Sequence, residues 1–213
     1  MQEDKSKQHT DPCPRFAIIA RCLELLLPFL CIWIWTLDPK GASRKLLWSE
    51  GASRLLNSDP SNAIYFYSNQ TETPEVPYIW SEKLANANVM VIMGTSIIVV
   101  LRAAFHTSNR FNTKRIDLTL NIILLPLWIA CLVGQQSSDY SDPHHRSRFP
   151  WYLVSSCSSA HLGARSACRN AQLTFAFTLL MALLYGTWVM KTIVSEIRDF
   201  INRRRYQQII ELP

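Results

Sequence analysis

The sequence predicts an all-α membrane protein: a four-helix transmembrane bundle with two extracytoplasmic loops. Three observations carry that prediction. Apolar residues gather in four blocks instead of spreading at helix or strand period along the chain. The last block has no wettable side, and Lys and Arg group beside the blocks. Mean hydropathy near zero conceals this segregation, because polar loops cancel apolar spans in the average.

The first block, residues 16–37, reads FAIIARCLELLLPFLCIWIWTL and has about the 20 residues a helix needs to cross a hydrocarbon core. Arg21 and Glu24 lie three apart on one helix face and can pair, while Pro28 interrupts the backbone ladder. A signal peptide is the rival reading, since Lys5, Lys7 and Arg15 precede the block and Gly41, Ala42 and Ser43 follow it. Its apolar core is too long for that, and Glu3, Asp4 and Asp11 sit in the preceding tail, so a retained span is expected.

The second block, residues 85–105, contains Gly94, Thr95 and Ser96, small residues that would admit a neighbouring helix, and ends with Arg102 in its last turn. The third, residues 116–134, begins with Asp117 and Asn121 at helical spacing. The fourth, residues 171–194, carries no charge before Lys191 and places Tyr185 and Trp188 toward one end, as an interfacial belt requires. A buried helix of a water-soluble protein would need a polar face over such a length, and this block lacks one. The chain therefore divides into a tail of residues 1–15, a membrane domain of residues 16–194 and a basic tail of residues 195–213.

The net charge of +6 raises nucleic acid as a partner, but the basic residues flank apolar blocks and no recognition motif accompanies them. They set orientation instead. Lys5, Lys7 and Arg15, then Arg102, Arg110, Lys114 and Arg115, then Lys191, Arg198 and Arg203 to Arg205 fall on one side of a four-span chain, which the positive-inside bias makes the cytoplasm. Both termini are expected there. The sequon Asn69-Gln70-Thr71 falls in the loop placed outside and is the expected glycosylation site.

In the first outer loop Gly41-Ala-Ser-Arg44 recurs as Gly51-Ala-Ser-Arg54, and Leu46, Leu47, Trp48, Leu55 and Leu56 suggest a short amphipathic helix on the membrane surface. Residues 63–67 (AIYFY) and 74–80 suggest a strand and an extended turn. Cys157 and Cys168 share the second outer loop. Oxidising conditions outside the cytoplasm favour their pairing as a disulfide, whereas Cys13, Cys22, Cys31 and Cys131 lie in or beside apolar blocks and act as small apolar side chains.

Catalytic chemistry is not evident. His144 and His145 with Asp139 and Asp142 lack ligand spacing for a metal and read as a solvated loop. His161 near Ser158 and Ser159 lacks a nucleophile elbow. No catalytic residue, metal or cofactor is expected. The groups that matter are Arg21, Glu24, Asp117 and Asn121, ionisable or polar inside the spans. They are expected to form an intramembrane polar clasp between the first and third spans, with a proton or ion relay as the competing reading.

The entry RFAIIAR from Arg15 to Arg21, the third block with Asp117 and Trp128, and Cys157 followed by CRNAQLTFAF from Cys168 to Phe177 carry a family likeness. With these features the chain resembles the MARVEL-type four-span membrane proteins, and most closely the divergent MARVEL-like family of filamentous fungi. The first outer loop has no cysteine, unlike that of claudins, and no Cys-Cys-Gly of tetraspanins occurs. The resemblance implies a non-enzymatic multi-pass protein of the plasma membrane or endomembranes that organises membrane domains or trafficking. Its expected partners are membrane lipids and other membrane proteins, a second copy of the chain included, and not nucleic acid. A small transporter or channel subunit is the alternative, and a polytopic membrane enzyme a more distant one.

Overall fold

A computed structural model describes residues 14–36, 42–60, 76–107 and 113–210. Its long elements are all helices: α1 (Pro14–Thr36), α2 (Ala42–Ser53), α3 (Glu82–Thr107), α4 (Thr113–Gln135) and α5 (Leu162–Ile210). Short turns at Tyr78–Trp80, Trp151–Val154 and Cys157–Ser159 join them, and one isolated bridge pairs Asp139 with Ser147.

Among the described residues three helical stretches are long and apolar enough to cross a membrane: Glu82–Ala104, Ile116–Gln135 and a segment within Leu162–Arg205. Packing against them, α1 contributes Ala20, Leu27 and Cys31 to a core that also holds Ile92, Leu124, Trp128, Met181 and Tyr185. Glu24, Arg102 and Asp117 meet at one end of the bundle, and Cys31, Asn88 and Gln135 line one cavity at the other. Successive long helices therefore run in opposite directions.

The outside of the bundle is apolar too. Met90 (73% exposed), Val133 (63%) and Leu183 (58%) stand outward on three different helices, with Ile19, Leu26 and Trp33 outward on α1. A water-soluble protein rarely leaves so much contiguous apolar surface uncovered, whereas lipid tails solvate it at no cost. On α5, Leu184 packs inward while Leu173, Leu179 and Leu180 face out, so the missing polar face has a hydrocarbon counterpart.

The fourth expected span, residues 171–194, lies within α5, a helix that runs 49 residues from Leu162 to Ile210 and so continues through the basic tail. Its C-terminal part continues because nothing after Gly186 breaks a helix before Pro213, and Glu, Arg and Gln propagate it well. Its N-terminal turns form because Ala164, Ala167 and Cys168 pack into a second core at the loop end. The Cys157–Cys168 disulfide, with Cα atoms 5.7 Å apart, clips the preceding turn onto that helix. Closing so short a loop contributes on the order of 2–3 kcal/mol.

The second core is a small cap built from both loops. Trp48 stacks parallel to Trp80 with ring centroids 6.2 Å apart, and Tyr152 meets the edges of both Trp80 and Trp151. Leu47 and Trp48 of α2 are buried in this cap, which corrects the expectation of a helix lying only on the membrane surface; Leu55 and Leu56 remain exposed. The reason is that both loops supply aromatic partners, so α2 buries its apolar face against protein. Residues 74–80 were expected as an extended turn; the described part closes as a 3-10 turn at Tyr78–Trp80 after Pro77. The AIYFY segment and the Asn69 sequon lie outside the described residues, as does Cys13.

The repeat GASR matters through its second glycine. α2 ends with Leu55 at φ 59°, where the Leu56 N–H reaches the Gly51 carbonyl and the Leu55 N–H reaches Ala52, a Schellman closure. That turn folds Asn57 back onto Gly51. A Cβ on Gly51 would lie 1.6 Å from Asn57 Oδ1 and 2.5 Å from Trp151 Cδ1, whereas one on Gly94 meets nothing within 4 Å. Gly94 is thus not a close-approach point among these helices; within the small-residue stretch it is Thr95 and Ser96 that are buried, Thr95 accepting from Trp128 Nε1 of α4 at 3.2 Å.

Two substitutions separate these positions. Gly51→Ala should destabilise the cap by on the order of 3 kcal/mol through overpacking, whereas Gly94→Ala in the helix interior should be neutral or stabilising by up to about 1 kcal/mol. Thermal unfolding of the purified chain in detergent measures both.

Candidate functional site

The charged residues of the bundle form a closed ring. Arg21 Nη1 lies 3.1 Å from Glu24 Oε2; Glu24 Oε1 lies 2.5 Å from Arg102 Nη1; Arg102 Nε lies 2.9 Å from Asp117 Oδ1; and Asp117 Oδ2 lies 3.4 Å from Arg21 Nη2. The Arg102 Nε contact is an ion pair without the angle of a hydrogen bond. Arg102 Nη2 donates to Asn121 Oδ1 at 3.0 Å. Each carboxylate oxygen meets one guanidinium nitrogen, and two positive groups balance two negative ones.

Helical spacing explains the arrangement. Arg21 and Glu24 are one turn apart on α1, and Asp117 and Asn121 one turn apart on α4, so each helix presents an adjacent pair to its neighbour. Arg102 enters from the last turns of α3 and, like Glu24 and Asn121, is buried. α5 contributes through Trp188, whose ring lies 4.8 Å from the Arg21 guanidinium carbon. All four predicted clasp residues are thus in one cluster. Reading the chain as a string assigned Arg102 to the basic flank of the second span. The signal for its true place was charge balance: Arg21 offsets only one of Glu24 and Asp117, and an unpaired carboxylate at that depth is expensive.

The cap holds a second polar centre. Asp139 is buried and accepts from five donors: the Ser58 amide (3.3 Å) and hydroxyl (2.6 Å), Trp80 Nε1 (2.9 Å), and the Ser141 amide (3.2 Å) and hydroxyl (2.7 Å). Asp139 therefore ties the first loop to the second, which corrects the reading of residues 139–145 as a solvated loop. No sequence signal marks it, because its donors come from residues 58, 80 and 141. Asp142 does stay near the surface, bonded to His145 Nδ1 at 2.8 Å and to the His144 amide. Those bonds, the His145 one foremost, hold its carboxyl below the usual range. Among the described residues no three His, Cys, Asp or Glu side chains converge as a metal site would need.

His161 turns to Glu50, with Nδ1 2.8 Å from Oε2, and not to Ser158 or Ser159. Arg54 pairs with Glu50 at 2.6 Å, donates to the Ser159 hydroxyl at 3.0 Å and to its carbonyl, and lies over the Trp151 ring. Burial raises the Glu50 carboxyl, but the His161 amide and ring together with Arg54 outweigh it and leave the group below its ordinary value. Burial likewise pushes the Tyr152 phenol up to about 12, with Arg44 pulling partly against it.

A cavity of about 400 Å³ separates the cap from the bundle, bounded by Arg44 and Leu47 of α2, Cys31 of α1, Asn88 of α3, Gln135 of α4 and Thr174 of α5.

The chain has a relative among proteins of known sequence. It is 30% identical over 139 residues to Kojic acid related protein 1 of Aspergillus oryzae (strain ATCC 42149 / RIB 40), a match covering 64% of this chain and 51% of that protein. The chain thus spans about half the length of the curated relative it matches. No family model matches it, so the MARVEL-type likeness stands as a resemblance. No solved structure matches it either.

Two measurements follow. Arg102→Ala leaves Glu24 buried with one partner fewer and should cost about 3–5 kcal/mol, whereas the joint Glu24→Leu, Arg102→Met exchange, which leaves Arg21 with Asp117, should cost markedly less; chemical unfolding in mixed micelles compares them. Because the folded Glu50 and Asp142 carboxyls lie below their ordinary values, their contribution is complete at neutral pH and is lost as pH falls through those depressed values. Melting temperature followed from about pH 6 to about pH 3 should drop, and Glu50→Gln should flatten the drop.

Proposed function

We propose that this chain is a non-enzymatic four-span membrane protein, α1 completing the set of spans, with both termini in the cytoplasm. It acts through lateral contact with lipids and with other membrane proteins, second copies included. The observation that carries this reading is the charge ring, which closes on itself. Every charge in it is answered by another within the same cross-section; the core between ring and cavity is filled by Leu27, Leu124, Trp128, Met181 and Leu184, and the buried Thr95 and Ser96 hydroxyls donate to the Val91 and Ile92 carbonyls of their own helix. A relay needs polar groups continuing through that layer; a clasp needs only the closed ring.

Support for lateral contact comes from α5. Past the ring it presents Met190, Ile193, Ile197 and Phe200 exposed at spacings of three, four and three, the seam pattern of paired helices, flanked by Arg198 and Arg203 to Arg205. The basic residues suit anionic headgroups on the cytoplasmic leaflet.

The alternative reading, a small transporter or channel subunit, makes Glu24 and Asp117 part of a path. Liposomes carrying the purified chain should leak protons and monovalent ions no faster than empty ones, with Glu24→Gln and Asp117→Asn unchanged. Flux that both substitutions abolish would replace the scaffold reading by the transporter one. Alkaline washing of membranes should leave the chain in the pellet, and in sealed microsomes a C-terminal tag should be open to protease while Asn69 carries an endoglycosidase-sensitive glycan.

A further inference from the structure

We propose that the cavity between cap and bundle is a binding site for a neutral, hydroxyl-bearing amphiphile. This goes beyond the scaffold reading and rests on the chemistry of the cavity walls. The volume, about 400 Å³, is within the range of small-molecule sites. Its bundle side is apolar, with Cys31, Ile34, Val89 and Ile92; its cap side adds Leu47 and the rings of Trp80 and Tyr152. Between these walls lie the amides of Asn86, Asn88 and Asn170 and the hydroxyl of Thr174.

One of these groups asks for a partner. Asn88 is only 6% exposed, lines the cavity, and its Oδ1 has no hydrogen-bond donor among the described residues. A buried acceptor without a donor is costly, and native folds tend to satisfy it with water or a ligand. Gln135, the neighbouring amide, does not serve this purpose, because its Nε2 donates to the Thr178 hydroxyl at 2.9 Å. The ligand must therefore bring an O–H or N–H donor to Asn88.

The lining also fixes ligand charge. Its charged side chains are Arg44 and Glu82, one of each sign, and Arg44 Nη1 already donates to the Ile79 carbonyl at 3.0 Å. A phosphate or carboxylate head would trade water for largely apolar walls without a net countercharge. A hydroxyl beside an apolar body meets every wall: the hydroxyl at Asn88, the body along Cys31, Val89 and Ile92. Such a molecule can arrive from the bilayer as a hydroxylated neutral lipid or from water as a small hydroxylated compound.

The test uses the full chain in nanodiscs and a photoreactive monoacylglycerol whose diazirine lies near the head, with a matched probe bearing a phosphate in place of the head. The neutral probe should label peptides spanning residues 82–92 and 167–174, and the phosphate probe should label them about tenfold less, as expected for burying an uncompensated charge. Asn88→Leu and, separately, Ala171→Trp, which fills the cavity, should each cut labelling by about fivefold or more, the scale of one lost buried hydrogen bond. Retention of the Cys157–Cys168 disulfide and of the unfolding midpoint certifies each variant; where Asn88→Leu lowers the midpoint, Ala171→Trp is read alone. Unlabelled monoacylglycerol that competes while glycerol does not assigns a bilayer source; competition by glycerol assigns a soluble one, and both support the site. Labelling spread evenly over the apolar belt, labelling unchanged in both variants, or equal labelling by the phosphate probe would overturn it and leave a water-filled pocket. A scaffold without flux but with this labelling, or the reverse, separates this inference from the proposed function.

Discussion

Charge neutrality inside a packed apolar helix bundle is the constraint on which this architecture depends. Arg21, Glu24, Arg102 and Asp117 come from three helices, and each is tolerable at its depth only because the others are there. A surface ion pair of the same geometry would be worth little, since water would replace either partner. Inside the bundle the ring makes assembly conditional: α1, α3 and α4 must register to within one helical turn, or a carboxylate is left bare. The cost of an error, more than the strength of any single contact, gives such a ring its specifying power.

The cap answers a different problem. Its loops lack the regular backbone pairing that helices provide, so polar atoms must be satisfied one at a time. Asp139 gathers five donors from three segments, the Trp48 indole donates to the Ser58 carbonyl, and the Trp151 indole donates to the Leu47 carbonyl. The three indole N–H groups of the aromatic cluster are thereby all used, which lets large flat rings pack without stranding a donor. A single disulfide then fastens this assembly to α5.

Much of this was legible in the sequence because it is local. Apolar runs at span length locate α3, α4 and the central part of α5, and pairs at helical spacing locate Arg21 with Glu24 and Asp117 with Asn121. The cysteine pair is readable from its shared loop. What could not be read depends on chain segments meeting across long separations. Arg102 belongs to the ring only through α1 and α4, and Asp139 looks like any loop carboxylate until Ser58 and Trp80 are beside it. The inward turn of α2 is hidden likewise, since an amphipathic face does not state whether protein or lipid covers it. Helix ends were the least legible, because the polar residues that mark the edge of a hydrocarbon slab do not interrupt a backbone hydrogen-bond ladder.

α5 combines two properties that together have a mechanical consequence. It is unbroken over 49 residues, and its first turns are covalently fastened to the cap through Cys168. At 1.5 Å per residue such a rod is roughly 70 Å long. Rocking the fastened end through about 5° would sweep the far tip through roughly 6 Å, the width of one helical turn. Because Met181, Ala182 and Tyr185 at the middle of the rod are packed among Ala20, Leu27, Leu124 and Trp128, any such displacement carries the core with it, and a push on the cap reaches the far tip by way of α1 and α4.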